Sequence, residues 1–278
     1  MNPITSFIKR YPQATFWVLA WATWFVGIAL SMMYPTDLWN LIIYSPFLIG
    51  VLVTAIADGR AGLKTFFSRI VRWRVGLKWY AVALFTPAVL YLIAAGLNVL
   101  SGASIATGIQ WPAFSEIIAG LLLFSFLMIA LGEEPGFRGF ALPRLLAGHS
   151  AIAAALIFGV LHAIWHVPTF LGGNVVLILS TILIIISGAV LNTWMFNHTN
   201  GSVFMAMLLH VGIDVVSGDV GLLKLLFSGA DLERQVVWLA AVYVGMAILL
   251  PLLAGKELGR KPEAATDMLA AEQPAMAR

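Results

Sequence analysis

Long apolar runs, separated by short polar segments, dominate the pattern of hydrophobic and polar positions along the chain. A helix needs about 20 mostly apolar residues to cross a hydrocarbon core of about 30 Å. Eight runs approach that length, at approximately 13–34, 39–57, 79–100, 117–134, 151–171, 174–196, 202–217 and 236–254. The pattern therefore predicts an all-α fold, a polytopic membrane helix bundle of about eight transmembrane helices.

The same pattern predicts one domain and a tail. Residues 1–256 form a single transmembrane domain, and its polar motifs lie in a core at about 117–217. Residues 257–278 are polar and rich in Ala, with no apolar face large enough to pack, so we expect a disordered cytoplasmic tail. The first apolar run exceeds the length of a secretory signal, which predicts a retained signal-anchor.

Lys and Arg occur in alternate connecting segments, which is the pattern that orients membrane proteins with basic loops in the cytoplasm. The loops at 35–38, 101–116 and 172–173 contain neither residue type, and the segment at 218–235 carries charges of both signs. This alternation predicts a multi-pass protein of the cell membrane with both termini cytoplasmic. The basic positions that follow this alternation are Lys9, Arg10, Arg60, Lys64, Arg69, Arg72, Arg74, Lys78, Arg138, Arg144, Lys256, Arg260 and Lys261.

Composition narrows the chemistry. Hydrophobic residues make up 61% of the 278 residues and charged residues only 10%, well below the roughly 25% typical of soluble domains. The net charge of +3 gives no indication of nucleic-acid binding. The chain contains no Cys, which excludes disulfides, thiolate metal sites and cysteine nucleophiles. Any catalysis must use carboxylates, imidazoles or hydroxyls.

Ionisable side chains inside the predicted spans fall into three groups. Each costs about 2.5 to 3.5 kcal/mol on insertion scales, so each needs a reason. From the helical rise, His162 and His210 lie about 16 Å and 12 Å from the same membrane face, and the acidic pair reaches a similar depth if its helix continues past Pro135. We expect one shared, water-filled cavity open to the cytoplasm. The groups are Glu133, Glu134 and Arg138, then His162 and His166, then His210 and Asp214.

Helical spacing suggests different tasks for these groups. Glu134 and Arg138 are four residues apart and can neutralise each other. Glu133 points about 100° away on a helix, so it is the freer carboxylate and the better candidate to take a proton from water. Asp214 follows His210 by four residues and can orient its imidazole. We expect His166 to be an ordinary core residue.

The motifs resemble the signature of the CPBP family, which comprises type II CAAX prenyl endopeptidases, bacteriocin-processing or immunity proteins and their relatives, also called the ABI family. The similar segments are Glu133-Glu134-x-x-x-Arg138, Phe158-x-x-x-His162 and His210-x-x-x-Asp214, in that order on successive spans. The stretch from Gly132 to Arg144 is similar to bacterial members.

The resemblance implies an intramembrane endopeptidase acting on a membrane-associated protein or peptide. Glu133 would activate water together with His162, and His210 and the group at 214 would stabilise the oxyanion. Glu134 and Arg138 would support the site. Many members carry Asn at the last position. An ionised Asp214 cannot donate to an oxyanion, so it acts either protonated or by orienting His210.

Metal dependence and function class stay open at this level. Glu133, His162 and His210 form a set of the kind that holds catalytic zinc, but no HExxH motif occurs, so we expect no cofactor, with zinc as the alternative. A non-catalytic immunity or assembly factor and a proton-coupled transporter are the other function classes. Expected partners are the peptide substrate and the lipid bilayer.

Overall fold

The computed structural model describes residues 2–34, 37–218 and 220–260, and these residues form helices and connecting turns without a strand. Short 3₁₀ segments lie at Asp37–Tyr44, Val167–Phe170 and Leu222–Leu226. The helices of the described part are α1 (Pro3–Arg10), α2 (Pro12–Met33), α3 (Ser45–Ala57), α4 (Gly59–Ile70), α5 (Leu77–Leu100), α6 (Phe114–Gly148), α7 (Ala151–His166), α8 (Val175–His198), α9 (Val203–Val216) and α10 (Gly229–Ala254).

Six helices of the described part are long and apolar enough to cross a membrane, namely α2, α5, α6, α7, α8 and α10. Two shorter apolar helical segments, Leu41–Ala57 and Val203–Val216, coincide with the second and seventh predicted spans. The predicted all-α, multi-pass membrane architecture is therefore confirmed. The count of eight spans and the orientation of the termini stay predictions.

Helix α6 runs without a break through the acidic pair, so it extends well beyond the predicted span end at 134. Its bonding pattern alternates along the way: α-helical at Phe114–Ala119, Leu131–Glu134 and Leu142–Gly148, and π-helical at Gly120–Ala130 and Pro135–Ala141. The second π-helical stretch begins at Pro135, which has no N–H to donate to an ordinary α-helical bond. Such wide turns are frequent at functional sites.

Two glycines let the helices that carry polar groups approach their neighbours closely. A Cβ at Gly136 of α6 would lie 2.2 Å from the carbonyl oxygen of Pro46 in α3. A Cβ at Gly212 of α9 would lie 2.8 Å from the carbonyl oxygen of Ala83 in α5. Both crossings therefore depend on a residue without a side chain, as is common between membrane helices.

A buried aromatic cluster fixes α2, α6 and α7 against one another. Trp24 stacks on Trp165 with ring centroids 4.3 Å apart, and Trp17 stacks on Phe137 at 5.6 Å. Phe158 meets Trp17 edge to face at 5.7 Å. Offset and edge-on pairs of this kind add to the energy of simple burial. The cluster gives α7 a rigid wall along the face that carries His162.

The bundle has two ends that differ in charge. At the basic end, Ser202 Oγ before α9 donates to the carbonyl of Arg72 at 2.5 Å. At the opposite end, the backbone N–H of Ala106 after α5 donates to the carbonyl of Leu226 at 2.9 Å. Helices α5 and α9 both start at the basic end and finish at the opposite end.

The first residues of the predicted tail are packed, which corrects the boundary drawn at 257. Leu258 is fully buried, and the Arg260 guanidinium bonds to the carbonyl of Leu146 and, at 2.5 Å, to the Glu257 carboxylate. These contacts hold the chain against the junction of α6 and α7. The rest of the predicted tail, 261–278, lies outside the described residues.

Candidate active site

Glu134 is the centre of a buried ionic cluster. Its Oε1 accepts a hydrogen bond from Arg138 Nη1 at 2.8 Å and is hydrogen-bonded to His210 Nδ1, also at 2.8 Å. Glu134 is 1% exposed, so these contacts are shielded from bulk water. The ion pair of Glu134 with Arg138 was predicted from their spacing of four residues in a helix. The ring of His210 is held mainly by Glu134 of another helix, because Asp214 Oδ1 lies 3.9 Å from His210 Nε2.

Glu133, adjacent in sequence, faces a different set of groups. Three atoms able to bind a metal lie within 4.8 Å of one another, a carboxylate oxygen of Glu133 and one ring nitrogen each of His162 and His166. Glu133 and His162 are both buried. Among the described residues, Glu133 Oε2 and His162 Nε2 have no hydrogen-bond partner. A carboxylate oxygen and an imidazole nitrogen in this position are suited to bind one water molecule between them.

His166 belongs to this group, which corrects the expectation that it is an ordinary core residue. Its ring centroid is 4.9 Å from that of His162, one helical turn away on the same face of α7. The spacing of His162 and His166 was visible in the sequence. The approach of Glu133 from α6 was not, because it depends on how α6 crosses α7.

Aromatic rings on three sides fix the position of His162. Phe137 meets its imidazole edge to face at 4.6 Å, Phe158 lies 5.5 Å away, and Trp165 stacks at 6.2 Å. The Arg138 guanidinium lies over the Phe158 ring at 4.6 Å. Packing thus links the ionic cluster of Glu134 to the ring that faces Glu133.

A cavity of about 750 Å³ adjoins both groups. Its deep wall contains the polar side chains of three helices, Glu134 and Arg138 from α6, His162 and His166 from α7, and His210 and Asp214 from α9. Glu133 is not part of the lining, but its carboxylate lies within 4.8 Å of the two rings of α7 that are. The expected meeting of three helices around one cavity is present in the structure.

The cavity extends away from the basic end of the bundle. Its lining continues through Ser217 and Gly218, which follow α9, to Lys224 and to Gly229 at the start of α10. Lys224 and Gly229 are exposed. The sequence analysis expects basic loops in the cytoplasm and a cavity open to the cytoplasm. For this cavity the two expectations conflict, because its exposed lining lies at the opposite end.

The trio of Glu133, His162 and His166 also differs from the ligand set considered for zinc. That set contains His210, whose Nδ1 is instead bonded to Glu134. Within the part of the chain that the structure describes, the trio is the cluster whose ligand atoms lie close enough for one metal ion. Two imidazoles and a carboxylate match the protein ligands of many catalytic zinc sites.

The part of the chain that carries these groups matches a known family. The family model described as "Type II CAAX prenyl endopeptidase Rce1-like" matches residues 114–216, which include every polar residue of the cavity's deep wall. A protein of Methanococcus maripaludis named "CAAX prenyl protease 2" is 28% identical over 225 residues, which cover 74% of this chain and 82% of the relative.

Fold and site together define a class, the polytopic membrane proteins that enclose a carboxylate and imidazoles beside a large cavity within the helix bundle. With the family match over the motif-bearing helices, the assignment becomes specific. These matches support the assignment of the chain to the CPBP family, as a membrane endopeptidase of the CAAX-protease type.

Proposed function

We propose that the protein hydrolyses a peptide bond of a membrane-associated protein or peptide with a water molecule activated by Glu133 and oriented by His162. The observation that carries the proposal is the pair of buried, unpartnered atoms among the described residues, Glu133 Oε2 and His162 Nε2, within the compact trio. These atoms can accept from and orient one water molecule beside the cavity.

The reaction balances with Glu133 as the only proton carrier. Its carboxylate takes a proton from water while the water oxygen forms a bond to the scissile carbonyl carbon. The carbonyl oxygen becomes the oxyanion of a tetrahedral intermediate. When the C–N bond breaks, Glu133 returns the proton to the leaving nitrogen. General base catalysis of this kind contributes about 10²- to 10⁴-fold.

His210 is the proposed oxyanion donor. Its Nδ1 is bonded to Glu134, which leaves Nε2 for a substrate oxygen in the cavity. Nε2 donates there when the ring carries both protons. Glu134, which is itself held by Arg138, fixes the ring, and a donor held rigidly in advance stabilises developing charge well. Asp214 supports His210 from 3.9 Å and is not proposed to touch the oxyanion.

We propose that this chemistry needs no metal ion. If zinc were bound, Glu133, His162 and His166 would hold it, and the ion would supply Lewis-acid activation of water. The test is to purify the protein, measure bound zinc and assay cleavage with a strong chelator. Substoichiometric zinc and undiminished activity are expected, whereas one zinc per chain with chelator-sensitive activity would overturn the metal-free mechanism.

A substrate class is suggested by the relative named above. The named relative is a CAAX prenyl protease, and we propose that peptides carrying an isoprenyl group are among the substrates. A pool of synthetic peptides, each made with and without a farnesyl thioether, is incubated with the purified protein, and products are identified by mass spectrometry. Faster cleavage of the farnesylated members supports the assignment, and equal cleavage of both forms limits the proposal to membrane-associated peptides in general.

The decisive variant is Glu133→Gln, which keeps the size of the side chain and removes its basicity. We expect cleavage of the best peptide in that pool to fall below detection while the protein still inserts and purifies as wild type. Retained proteolysis by pure Glu133→Gln protein would contradict the proposal.

The absence of Cys permits a clean test of orientation in the cell membrane. Two single-cysteine variants are made, Arg74→Cys in the basic segment and Lys224→Cys at the exposed part of the cavity lining. We propose that the basic segment is cytoplasmic, so a membrane-impermeant maleimide added to intact cells should label the Lys224→Cys variant and leave the Arg74→Cys variant unlabelled. The opposite labelling pattern would reverse the orientation.

A further inference from the structure

Three buried polar side chains line the cavity beyond the candidate active site, in a bundle that is otherwise strongly apolar. Tyr91 from α5 is 2% exposed, Asn192 from α8 is 5% exposed and Gln235 from α10 is fully buried. Burial of a polar group inside a membrane helix bundle is costly unless its hydrogen bonds are satisfied. None of the three belongs to the motifs that the active site uses.

Each of the three has a polar atom without a hydrogen-bond partner among the described residues. These atoms are the Tyr91 hydroxyl, Asn192 Oδ1 and Gln235 Oε1. Gln235 is the most informative because its other end is fixed: Nε2 donates to the backbone carbonyl of Tyr91 at 3.3 Å. The amide orientation is therefore set, and its oxygen is the acceptor left for another molecule.

The cavity has the dimensions of an extended chain. Its lining follows α10 from Leu232 to Tyr243, about 16 Å of helix, and follows α8 from Leu177 to Asn192, about 22 Å. An extended peptide rises about 3.3 Å per residue, so these lengths correspond to about five to seven residues. One end of the cavity is at His162 and His210, and the other reaches the exposed Lys224.

We propose that Gln235, with Asn192 and Tyr91, forms a binding subsite for the main chain of the peptide substrate. An extended peptide offers N–H donors and C=O acceptors in alternation, which complements two amide oxygens and one hydroxyl. The Gln235 oxygen accepts from a substrate N–H. A lipid or isoprenyl chain fits the apolar walls but offers no partner for these atoms. This inference rests on the proposed peptidase function and extends it to substrate positioning.

The test combines one variant with a modified substrate. Gln235→Met has a similar volume and removes the acceptor, and Thr54→Val is the matched control because Thr54 is 2% exposed with an unpartnered hydroxyl outside the cavity lining, among the described residues. The probe is the best-cleaved peptide of the synthetic pool. It is remade as a series in which each backbone amide other than the scissile one becomes an ester in turn, which removes one N–H donor at a time.

We expect one ester position to raise KM for the wild-type protein and for Thr54→Val by about three- to tenfold. With Gln235→Met, KM for the all-amide peptide should rise by a similar factor and kcat should change less than about twofold, as when binding is lost equally from ground and transition states. The ester at that one position should then have no further effect on the variant.

The outcomes separate the two proposals. If the wild type cleaves the peptide but the ester series has the same effect on wild type and Gln235→Met, the subsite is wrong and the three residues bind only water. If Gln235→Met does not fold, Asn192→Leu and Tyr91→Phe are assayed with the same series, and absence of any coupling in both overturns the inference. If the wild type cleaves no peptide of the pool, the proposed function itself fails.

Discussion

Glu133 and Glu134 are neighbours in sequence, both buried in the same helix, and yet they sit in two different environments. Glu134 is engaged by Arg138 and His210, each at 2.8 Å. Glu133 faces two imidazoles, and its Oε2 has no hydrogen-bond partner among the described residues. Glu134 also keeps an unpartnered Oε2 among the described residues, so the difference lies in charge: Glu134 is paired with Arg138 and His210 through Oε1, whereas Glu133 lies beside the imidazoles of α7.

The difference shows that the hydrogen-bond partners of a glutamate, rather than its residue type, determine whether it is reactive or structural. A carboxylate oxygen that already accepts from a guanidinium and is bonded to an imidazole is not available to a water molecule. That carboxylate instead organises its neighbours, since Glu134 orients the His210 ring and anchors Arg138, which lies over Phe158 next to His162. Glu133 is therefore the reactive carboxylate and Glu134 the organising one.

The largest expected effect is the loss of activity in Glu133→Gln without a loss of stability. Because the amide cannot take a proton from water, kcat should fall by about 10³-fold or more. Thermal unfolding in detergent, followed by Trp fluorescence, should show a midpoint no lower than that of the wild type, since the substitution leaves the Glu134 cluster with Arg138 and His210 intact. A much lower midpoint would show that Glu133 has a structural role as well.

Glu134→Gln should lower stability more, and activity less, than Glu133→Gln does. The substitution leaves the Arg138 guanidinium buried without its anionic partner, and breaking a buried ion pair in this way costs about 3 to 5 kcal/mol. We expect a clearly lower unfolding midpoint, together with a fall in kcat of about 10²-fold because His210 loses its orientation. Both quantities are measured on the same detergent-purified sample. If Glu134→Gln is as stable as the wild type, the organising role is wrong.

His166→Gln distinguishes the metal-free mechanism from the zinc alternative. Glutamine keeps a polar side chain but is a poor zinc ligand, so a zinc site made of Glu133, His162 and His166 would lose the metal and nearly all activity. In the metal-free mechanism His166 only helps to position the water, and kcat should fall about tenfold, less than the 10²- to 10⁴-fold that general base catalysis contributes. The assay is cleavage of the best synthetic peptide, with zinc content measured in parallel.

The sequence could predict the fold class and most of the candidate site because both depend on local patterns. Apolar run lengths indicate which segments are long enough to cross a membrane, and the spacing of Glu134 and Arg138 determines their pairing within one helix. The trio could not be predicted, because Glu133 reaches His166 only through the crossing of α6 and α7. The direction of the cavity could not be predicted either, since it depends on where the packed helices leave space.

The smallest effect is expected for Asp214→Asn, which tests how far the organising half of the site depends on charge. Asp214 Oδ1 is 3.9 Å from His210 Nε2, too far for a hydrogen bond, and the ring is already held through Nδ1 by Glu134. Asparagine has nearly the same shape and can donate an N–H toward a substrate oxygen, as the amide common in the family would. We therefore expect kcat/KM within about fivefold of the wild type, in either direction. Removal of a true oxyanion donor would instead lower kcat by about 10²- to 10³-fold.

The control is Asp214→Ala, which shows how much of any effect comes from the shape of the side chain at this position. If Asp214→Asn is as inactive as Glu133→Gln, the carboxylate at 214 takes part directly in the reaction, and Glu134 is not the only acid that organises His210.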